Sequence, residues 1–479
     1  MAETVLVTGG TGIVGKPLVE GLLAQGKRVV VLSRQQLPCD LPAVPGRLSY
    51  LQGDVSMTRL GLDPQVYAEL CAELTAIFHL AARTDFKGGS VADYAAVNIH
   101  GVKKVHALAC QAGAHLHHVS TAFVCGTHDA MFGEDDLECG QDFRNGYEQS
   151  KFLAERFLHE QMARGQGRVT IYRPSIILER HPAAASVNTF GPFIFLDAVF
   201  RILLTAKMQD ARELPLRLRG GRDCQLPFIF DNDVAAALLA IAASAHCLGR
   251  TYHLVCKNPC PNFLLEDVFN QAFGRKVAAL VADDAFRQLP ASQSERILAR
   301  KTATYASYLD LAVSFARSNS EAVLGVDFCT EVTDEELLGA FSRFLVCKDE
   351  NRDGGPIEER KRQDIDKYFT EFLPTIIGQQ LIANLASLSC TFWLEVSGLP
   401  RRTLVIIDGC LQAITAGGES SFGYQVRPDI FLQVVSGCLS PQRAFFDGKI
   451  TMAGNTMEAL RTASALEEFF RYRPYLVKS

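Results

Sequence analysis

The sequence predicts an α/β chain: a doubly wound parallel sheet with a smaller substrate lobe, followed by a small second α/β domain. From residue 4 to about 175, short β-branched runs alternate with amphipathic helical stretches, the pattern of a parallel sheet covered on both faces. A glycine-rich turn joins the first of these strands to the first helix. The chain is also too long, at 479 residues, to be organised by one hydrophobic core.

In chain order, Thr4 to Thr8, Arg28 to Leu32, Leu48 to Leu51, Ala76 to Leu80, His115 to Val119 and Val169 to Tyr172 read as strands. Lys16 to Gln25, Val97 to Ala112 and Tyr147 to Ala163 read as the helices between them. Residues 180 to 340 lose this rhythm and read as a mixed, mostly helical lobe. Cys347 to Arg362, dense in charge around Gly354-Gly355-Pro356, has linker composition. Beyond it the period is helical to about Leu388, and Thr391 to Val396, Thr403 to Ile407 and Gly423 to Val426 read as strands. The closing part reads as helical, with a break at Gly448 to Gly454. The expected division is therefore 1–345 for the sheet core (to about 180) and its lobe, 346–362 for the linker, and 363–479 for the second domain.

Apolar residues make up 48% and charged residues 21%, an ordinary soluble globular balance. A net charge of −5 gives no basic footprint, so nucleic acid is not an expected partner. The fourteen cysteines are scattered singly, the nearest pair being Cys256 and Cys260. With the first strand starting at Thr4 and no leader read before it, reduced thiols and a cytoplasmic location are expected. The most apolar windows, Phe190 to Ala206 and Phe372 to Val396, are interrupted by Asp197 and Arg201 and by Gln379, Gln380 and Asn384. They read as buried or lipid-facing helices, which allows peripheral membrane contact, and not as transmembrane spans.

The turn after the first strand reads Thr8-Gly9-Gly10-Thr11-Gly12-Ile13-Val14-Gly15 and opens directly into a helix. Glycines there let backbone amides approach a pyrophosphate at the positive end of the helix, the Rossmann-type arrangement for a dinucleotide. The second strand ends in Ser33-Arg34. A basic residue at that place favours the extra phosphate of NADP(H) over NAD(H); the alternative is an exposed surface arginine. Asp54, followed by Val55, is placed to accept a bond from the adenine amine, and the small residues of Leu80-Ala81-Ala82 let the dinucleotide lie close to the backbone. His79 reads as a satisfied core histidine.

Tyr147 and Lys151 lie one turn apart on one helix face. A phenol with a free pKa of about 10 is a poor base at neutral pH. A neighbouring ammonium and the positive nicotinamide of the oxidised cofactor stabilise the phenolate and lower that value, so the tyrosine can exchange a proton while hydride moves to or from the nicotinamide. Lys151 can also hold the nicotinamide ribose. Strand five ends in Ser120-Thr121, where a hydroxyl can polarise the substrate oxygen; Thr121 is the first choice and Ser120 the second. Asn98 is placed to reach the lysine through water. No metal-ligand spacing is present.

Together these motifs resemble the extended short-chain dehydrogenase/reductase superfamily over roughly residues 1 to 260. Arg173-Pro174-Ser175-Ile176 resembles its segment flanking the nicotinamide, which places Pro174 and Ser175 at the cofactor, and Asp231-Asn232-Asp233-Val234 resembles its later acidic helix start. The wording from His118 to Val124 and from Tyr147 to Glu155 is most similar to the thioester-reductase and fatty-acyl reductase branch. That branch implies NADPH and reduction of carrier-bound or coenzyme A-bound acyl thioesters, hence an acyl carrier as a partner. Hydroxysteroid dehydrogenases and nucleotide-sugar epimerases share the same groups.

The end of the chain runs Ile430-Phe431-Leu432-Gln433-Val434-Val435, Gly437-Cys438-Leu439-Ser440-Pro441 and Ala444-Phe445-Phe446-Asp447-Gly448-Lys449-Ile450. This resembles the sterol carrier protein fold, a small α/β domain with a tunnel for acyl chains or sterols; a purely structural or dimerisation domain is the alternative. A dehydrogenase joined to a lipid-holding domain implies a hydrophobic substrate. Arg217, Arg219 and Arg222 are candidates for a phosphate of coenzyme A or of a carrier arm, or else a solvated strand edge. The leading expectation is an NADP(H)-dependent oxidoreductase acting on a lipid-like carbonyl, alcohol or acyl thioester. A 3β-hydroxysteroid dehydrogenase or decarboxylase is the second reading, and a scaffold that keeps cofactor as a structural element the third. A homodimer is compatible with the superfamily.

Overall fold

The computed structural model describes residues 3–34, 46–85, 89–180, 191–205, 214–353, 359–381, 388–418, 420–437, 439–446, 449–473 and 475. Its main sheet has seven parallel strands: β1 (Thr4–Thr8), β2 (Arg28–Ser33), β3 (Leu48–Gln52), β4 (Leu74–His79), β5 (His115–Val119), β6 (Arg168–Pro174) and β7 (Thr251–Leu254). They lie in the order β7-β6-β5-β4-β1-β2-β3. The chain leaves β1 toward β2 on one side and returns to β4 on the other, so a crevice opens at the carboxyl ends of β1 and β4.

Both sheet faces are buried, which is why β1 is buried throughout and its centre, Val5-Leu6-Val7, does not alternate. Val5, Val7, Val29 and Val31 pack against α1 (Gly15–Ala24) and the helix Asp231–Ala242. Leu6, Val30, Ile77 and Leu116 pack on the other face against α2 (His100–Ala112) and α3 (Gly146–Ala163).

The expected helix from Val97 is broken by a π turn over Ala95–Ile99 before α2 begins. The cause is Asn98. Its side chain is buried and bonded to the backbone of Arg83 and to Ser150, which pulls the chain out of α-helical register.

The sheet also takes a strand from within the lobe. Thr251–Leu254 pairs with β6, although four residues with a central His253 give no strand signal of their own. The lobe adds short strand pairs, among them Leu216–Arg219 with Ala278–Val281, and the helices Phe193–Thr205, Asn262–Ala272 and Gln293–Ala306. The apolar run after Phe190 is a packed helix: Phe193, Leu196, Val199 and Ile202 are buried at helical spacing. No helix among the described residues is long and apolar enough to cross a membrane.

The chain divides into two compact units at Leu345 and Val346. Helices Asp334–Asp353 and Glu359–Lys367 occupy much of the charged stretch, whereas Gly354-Gly355-Pro356 lies outside the described residues. The second unit is a five-stranded sheet of β8 (Cys390–Val396), β9 (Arg402–Ile407), β10 (Cys410–Ala416), β11 (Phe422–Val426) and β12 (Ile450–Gly454), ordered β10-β9-β8-β11-β12. Only β8 with β11 is parallel. The helices Pro428–Val435 and Thr456–Tyr472 cover its apolar face.

Two of these strands depart from the sequence reading. Within the break expected at Gly448 to Gly454, Ile450–Gly454 forms β12, paired to β11, and Gly448 lies outside the described residues. β10 went unread because most of its residues are half or fully exposed and carry little apolar pattern.

Candidate active site

A cavity of about 1100 Å³ opens at the carboxyl ends of β1 and β4. It exceeds the usual range for one small ligand, roughly 300–1,000 Å³. One end is walled by backbone and small residues, including Gly9, Thr11, Gly12, Ile13, Gly15, Ala81 and Ala82, together with Ser33, Arg34, Asp54, Val55 and Leu80. The other end is walled by apolar lobe residues such as Phe195, Leu218, Leu226, Phe228 and Phe269. Between them stand Ser120, Thr121, Tyr147, Lys151, Pro174 and Ser175.

The glycines divide their work. Gly9 has φ +75°, and a Cβ there would lie 2.8 Å from the Ala81 amide nitrogen. At Gly15 a Cβ would meet the Gly9 carbonyl oxygen at 2.2 Å. These two are forced by packing within the turn. At Gly12 only the Gly9 oxygen lies within 4 Å of an added Cβ, at 3.3 Å, so a side chain there would fill the cavity. Gly12 thus leaves the cradle that a dinucleotide phosphate needs beside the first amides of α1.

Thr8, Gly10 and Asn98 stand behind the cavity wall. The Thr8 hydroxyl accepts from the Ala81 amide at 3.3 Å and lies 2.6 Å from His79 Nδ1. A Cβ on Gly10 would press on Val31. Asn98 Nδ2 donates to Arg83 O at 3.0 Å and to Ser150 Oγ at 2.9 Å, which fixes the Arg83 backbone against α3.

Arg34 is exposed at the end of β2 and makes no ion pair among the described residues. Asp54 Oδ1 accepts from the Ser56 amide at 2.7 Å. Burial pushes the Asp54 carboxyl up, but the Ser56 bonds and the charges of Arg34 and Lys104 outweigh it and hold it below the usual range.

Asn145 caps α3 by accepting from the Glu148 amide at 2.9 Å, which sets Tyr147 and Lys151 at the start of the helix. The Tyr147 hydroxyl is hydrogen-bonded to the Thr121 side chain. Lys151 is 3% exposed, and its Nζ donates to Val119 O at 2.6 Å. Burial brings the Lys151 ammonium down to about 8, opposed by the charge of Glu155.

The expected lowering of Tyr147 rests on Lys151 together with the positive nicotinamide of the oxidised cofactor; the protein's own groups by themselves act the other way. Burial raises the phenol well above its usual value, Tyr305 and Glu148 add to the rise, and only the Thr121 bond opposes it.

Ser120 and Thr121 separate cleanly. Ser120 Oγ donates to Glu155 Oε2 at 2.7 Å, turned into a buried network. There Arg173, fully buried, donates through Nε to Glu155 Oε1 at 2.7 Å and through Nη2 to Asp136 O. Burial would raise Glu155, but Arg173, His159 and Ser120 together hold it down to about 2.

Sequence reasoning missed the lobe's contribution. Tyr305 and Tyr308 line the cavity, and the Tyr308 hydroxyl donates to Glu148 beside Tyr147. Neither sits in a motif; a pair of tyrosines three apart ahead of an irregular segment was the only signal. The three lobe arginines each carry an ion pair and are not among the residues that line the cavity. Arg217 is bidentate to Glu295 at 2.7 and 2.9 Å, Arg219 pairs with Asp283, and Arg222 with Glu266.

In the second unit, Tyr368, Phe392, Leu404, Phe431 and Leu466 line a wholly apolar cavity of about 90 Å³. That is well below the roughly 300 Å³ of a small-ligand pocket. Of the Phe-rich stretch, Asp447 and Gly448 lie outside the described residues.

Residues 7–214 match the male sterility protein family of NAD-binding domains, and residues 377–467 match the SCP-2 sterol transfer family. A 2-alkyl-3-oxoalkanoate reductase of Stenotrophomonas maltophilia is 26% identical over 276 residues, 56% of this chain and 74% of the reductase. A 3-beta-hydroxysteroid dehydrogenase of Mycolicibacterium neoaurum is 34% identical over 37% of this chain and 48% of its own length. A hybrid PKS-NRPS synthetase of Macrophomina phaseolina is 32% identical over 36% of this chain, which spans 4% of that synthetase. Among solved structures, the terminal R domain of the myxalamid PKS-NRPS pathway superposes with a TM-score of 0.60 at 24% identity, covering 72% of this chain and 91% of that domain.

Proposed function

Because the chain joins an extended short-chain dehydrogenase/reductase domain to an SCP-2 sterol transfer domain, we propose that it is a nicotinamide-dependent reductase of a lipid-like carbonyl compound or acyl thioester. The observation that carries this reading is the Tyr147 hydroxyl, held protonated and bonded to Thr121, beside buried Lys151. The three stand where a backbone-lined cradle meets an apolar lobe.

The residues present fit a dinucleotide. The turn from Gly9 to Gly15 would hold the pyrophosphate and Arg34 the 2′-phosphate of NADP(H). Asp54 and Val55 would meet the adenine, Leu80 to Ala82 the backbone side, Lys151 the nicotinamide ribose, and Pro174 and Ser175 the nicotinamide face. When bound, the cofactor supplies hydride. Thr121 and Tyr147 donate to the carbonyl oxygen, and Tyr147 gives it a proton as negative charge develops there. Ser120 acts one step back, by fixing the strand end through Glu155.

The apolar lobe wall and the SCP-2 match support a substrate with a large hydrophobic part. A second reading, oxidation of a 3β-hydroxysteroid, is favoured by the 34% identical dehydrogenase and uses the same three residues. The test is a panel of acyl-coenzyme A thioesters, 3-oxoacyl compounds and 3β-hydroxysteroids, each assayed with NADPH, NADH and their oxidised forms. NADPH consumption on the acyl or oxoacyl members supports the proposal. Turnover confined to steroid with oxidised cofactor selects the second reading, and turnover of none removes both.

A further inference from the structure

Two histidines beneath Lys151 carry more polar atoms than their surroundings satisfy. His79 ends β4, and His118 lies in register beside it on β5. Both share the parity of Ile77 and Leu116, so they face the side of the sheet that α3 covers. Their rings are 5.5 Å apart and stacked, and each residue is 1% exposed. His118 has no hydrogen-bond partner at Nδ1 or Nε2, and His79 none at Nε2.

Thr8 occupies one ring nitrogen of His79 and leaves the other unpartnered. Its oxygen already accepts from the Ala81 amide and lies 2.6 Å from His79 Nδ1. Whichever of the two donates in that bond, a neutral His79 keeps Nε2 as a buried polar atom, an N–H or a lone pair, that still needs a partner. A neutral His118 likewise carries one N–H and one acceptor nitrogen. Buried polar atoms of this kind are found paired, often to internal water with two to four polar partners.

Lys151 stands over the pair. It shares a face of α3 with Ala154 and Leu158, which pack on this side of the sheet. Its Nζ bonds the carbonyl of Val119, the residue after His118, and its charge acts on both rings. The ammonium makes a metal cation between the two imidazoles unfavourable, whereas water can accept from Lys151 and donate to, or accept from, each imidazole as its tautomer requires.

We propose that His79 and His118 form a buried hydration site that holds water against the Lys151 ammonium and so positions it for Tyr147. This rests on the reading of Lys151 as the group that serves Tyr147. Both histidines are positioning residues and touch neither substrate nor cofactor.

The test compares His118→Phe and His118→Gln in the full chain, with histidine-selective ¹⁵N NMR of the unsubstituted protein. His118→Phe should lower kcat about ten-fold, the scale of one hydrogen bond to a charged group. KM for the carbonyl substrate should hold, and His118→Gln should regain most of the rate. The NMR should show imidazole N–H protons of His79 and His118 exchanging with water. Unchanged kcat with a raised Tm in His118→Phe means a dry pair and overturns the proposal, as do imidazole N–H protons that show no contact with water. Absence of turnover in the unsubstituted protein would instead sink the functional reading, and the NMR signal would still decide the water site.

Discussion

The Tyr308 hydroxyl donates to Glu148 Oε1 at 2.6 Å, tying the lobe to the first turn of the helix that carries Tyr147. Asn145, the cap of that helix, donates to the same hydroxyl at 3.0 Å. Tyr308 therefore bonds both the cap and the carboxylate beside the reacting phenol. Tyr308→Phe removes both bonds while keeping the ring on Phe123. It should cost about 1–3 kcal/mol of stability and lower kcat more than it changes cofactor affinity. Thermal unfolding beside steady-state kinetics checks this, and an unchanged kcat would confine Tyr308 to a structural role.

The adjacent hydroxyls of strand five should respond differently. Thr121→Val removes a donor at the developing oxyanion and should slow turnover by roughly 10²-fold. Ser120→Ala takes one bond from buried Glu155 and should act mainly on stability, by about 1–3 kcal/mol. Equal kinetic losses in the two variants would contradict this division.

Arg34→Ala should weaken NADP(H) by about ten-fold or more, the scale of a charge-assisted phosphate contact, and leave NAD(H) nearly unchanged. Titration of Arg34→Ala and of the unsubstituted protein with both dinucleotides decides it. Equal losses on the two would remove the 2′-phosphate assignment.

Reduction should fall with rising pH through about 8, where Lys151 loses its proton. The sign follows from burial: the ammonium exists below that value and the neutral amine above it. Tyr147 is held above its ordinary value, so the phenol stays protonated across the same window. Lys151→Met should lower the rate and abolish this limb of the kcat/KM profile. A limb that survives the substitution would belong to another group.

Much of the core was legible because its signals are local. Six strands of the main sheet and the start of α3 follow from β-branched runs and from the spacing of Tyr147 and Lys151. The glycine turn was legible as a whole, yet only the structure separates Gly9 and Gly15, forced by packing, from Gly12, which leaves room for a ligand. What escaped depends on distant partners. Thr251–Leu254 is a strand because β6 is beside it, and Ser120 turns away from the cavity because Glu155 and Arg173 are buried behind it. Tyr305 and Tyr308 reach the site from more than 150 residues away in the chain. In the second unit, β12 was hidden by the glycines that flank it.

The central claim is that Tyr147 donates the proton in a hydride transfer, and Tyr147→Phe tests it most directly. NADPH affinity and turnover should be measured on the same preparation, with the substrate that the panel identifies. The account predicts nearly unchanged NADPH binding and a loss of turnover of at least about 10²-fold. Turnover within a few-fold of the unsubstituted protein would contradict it.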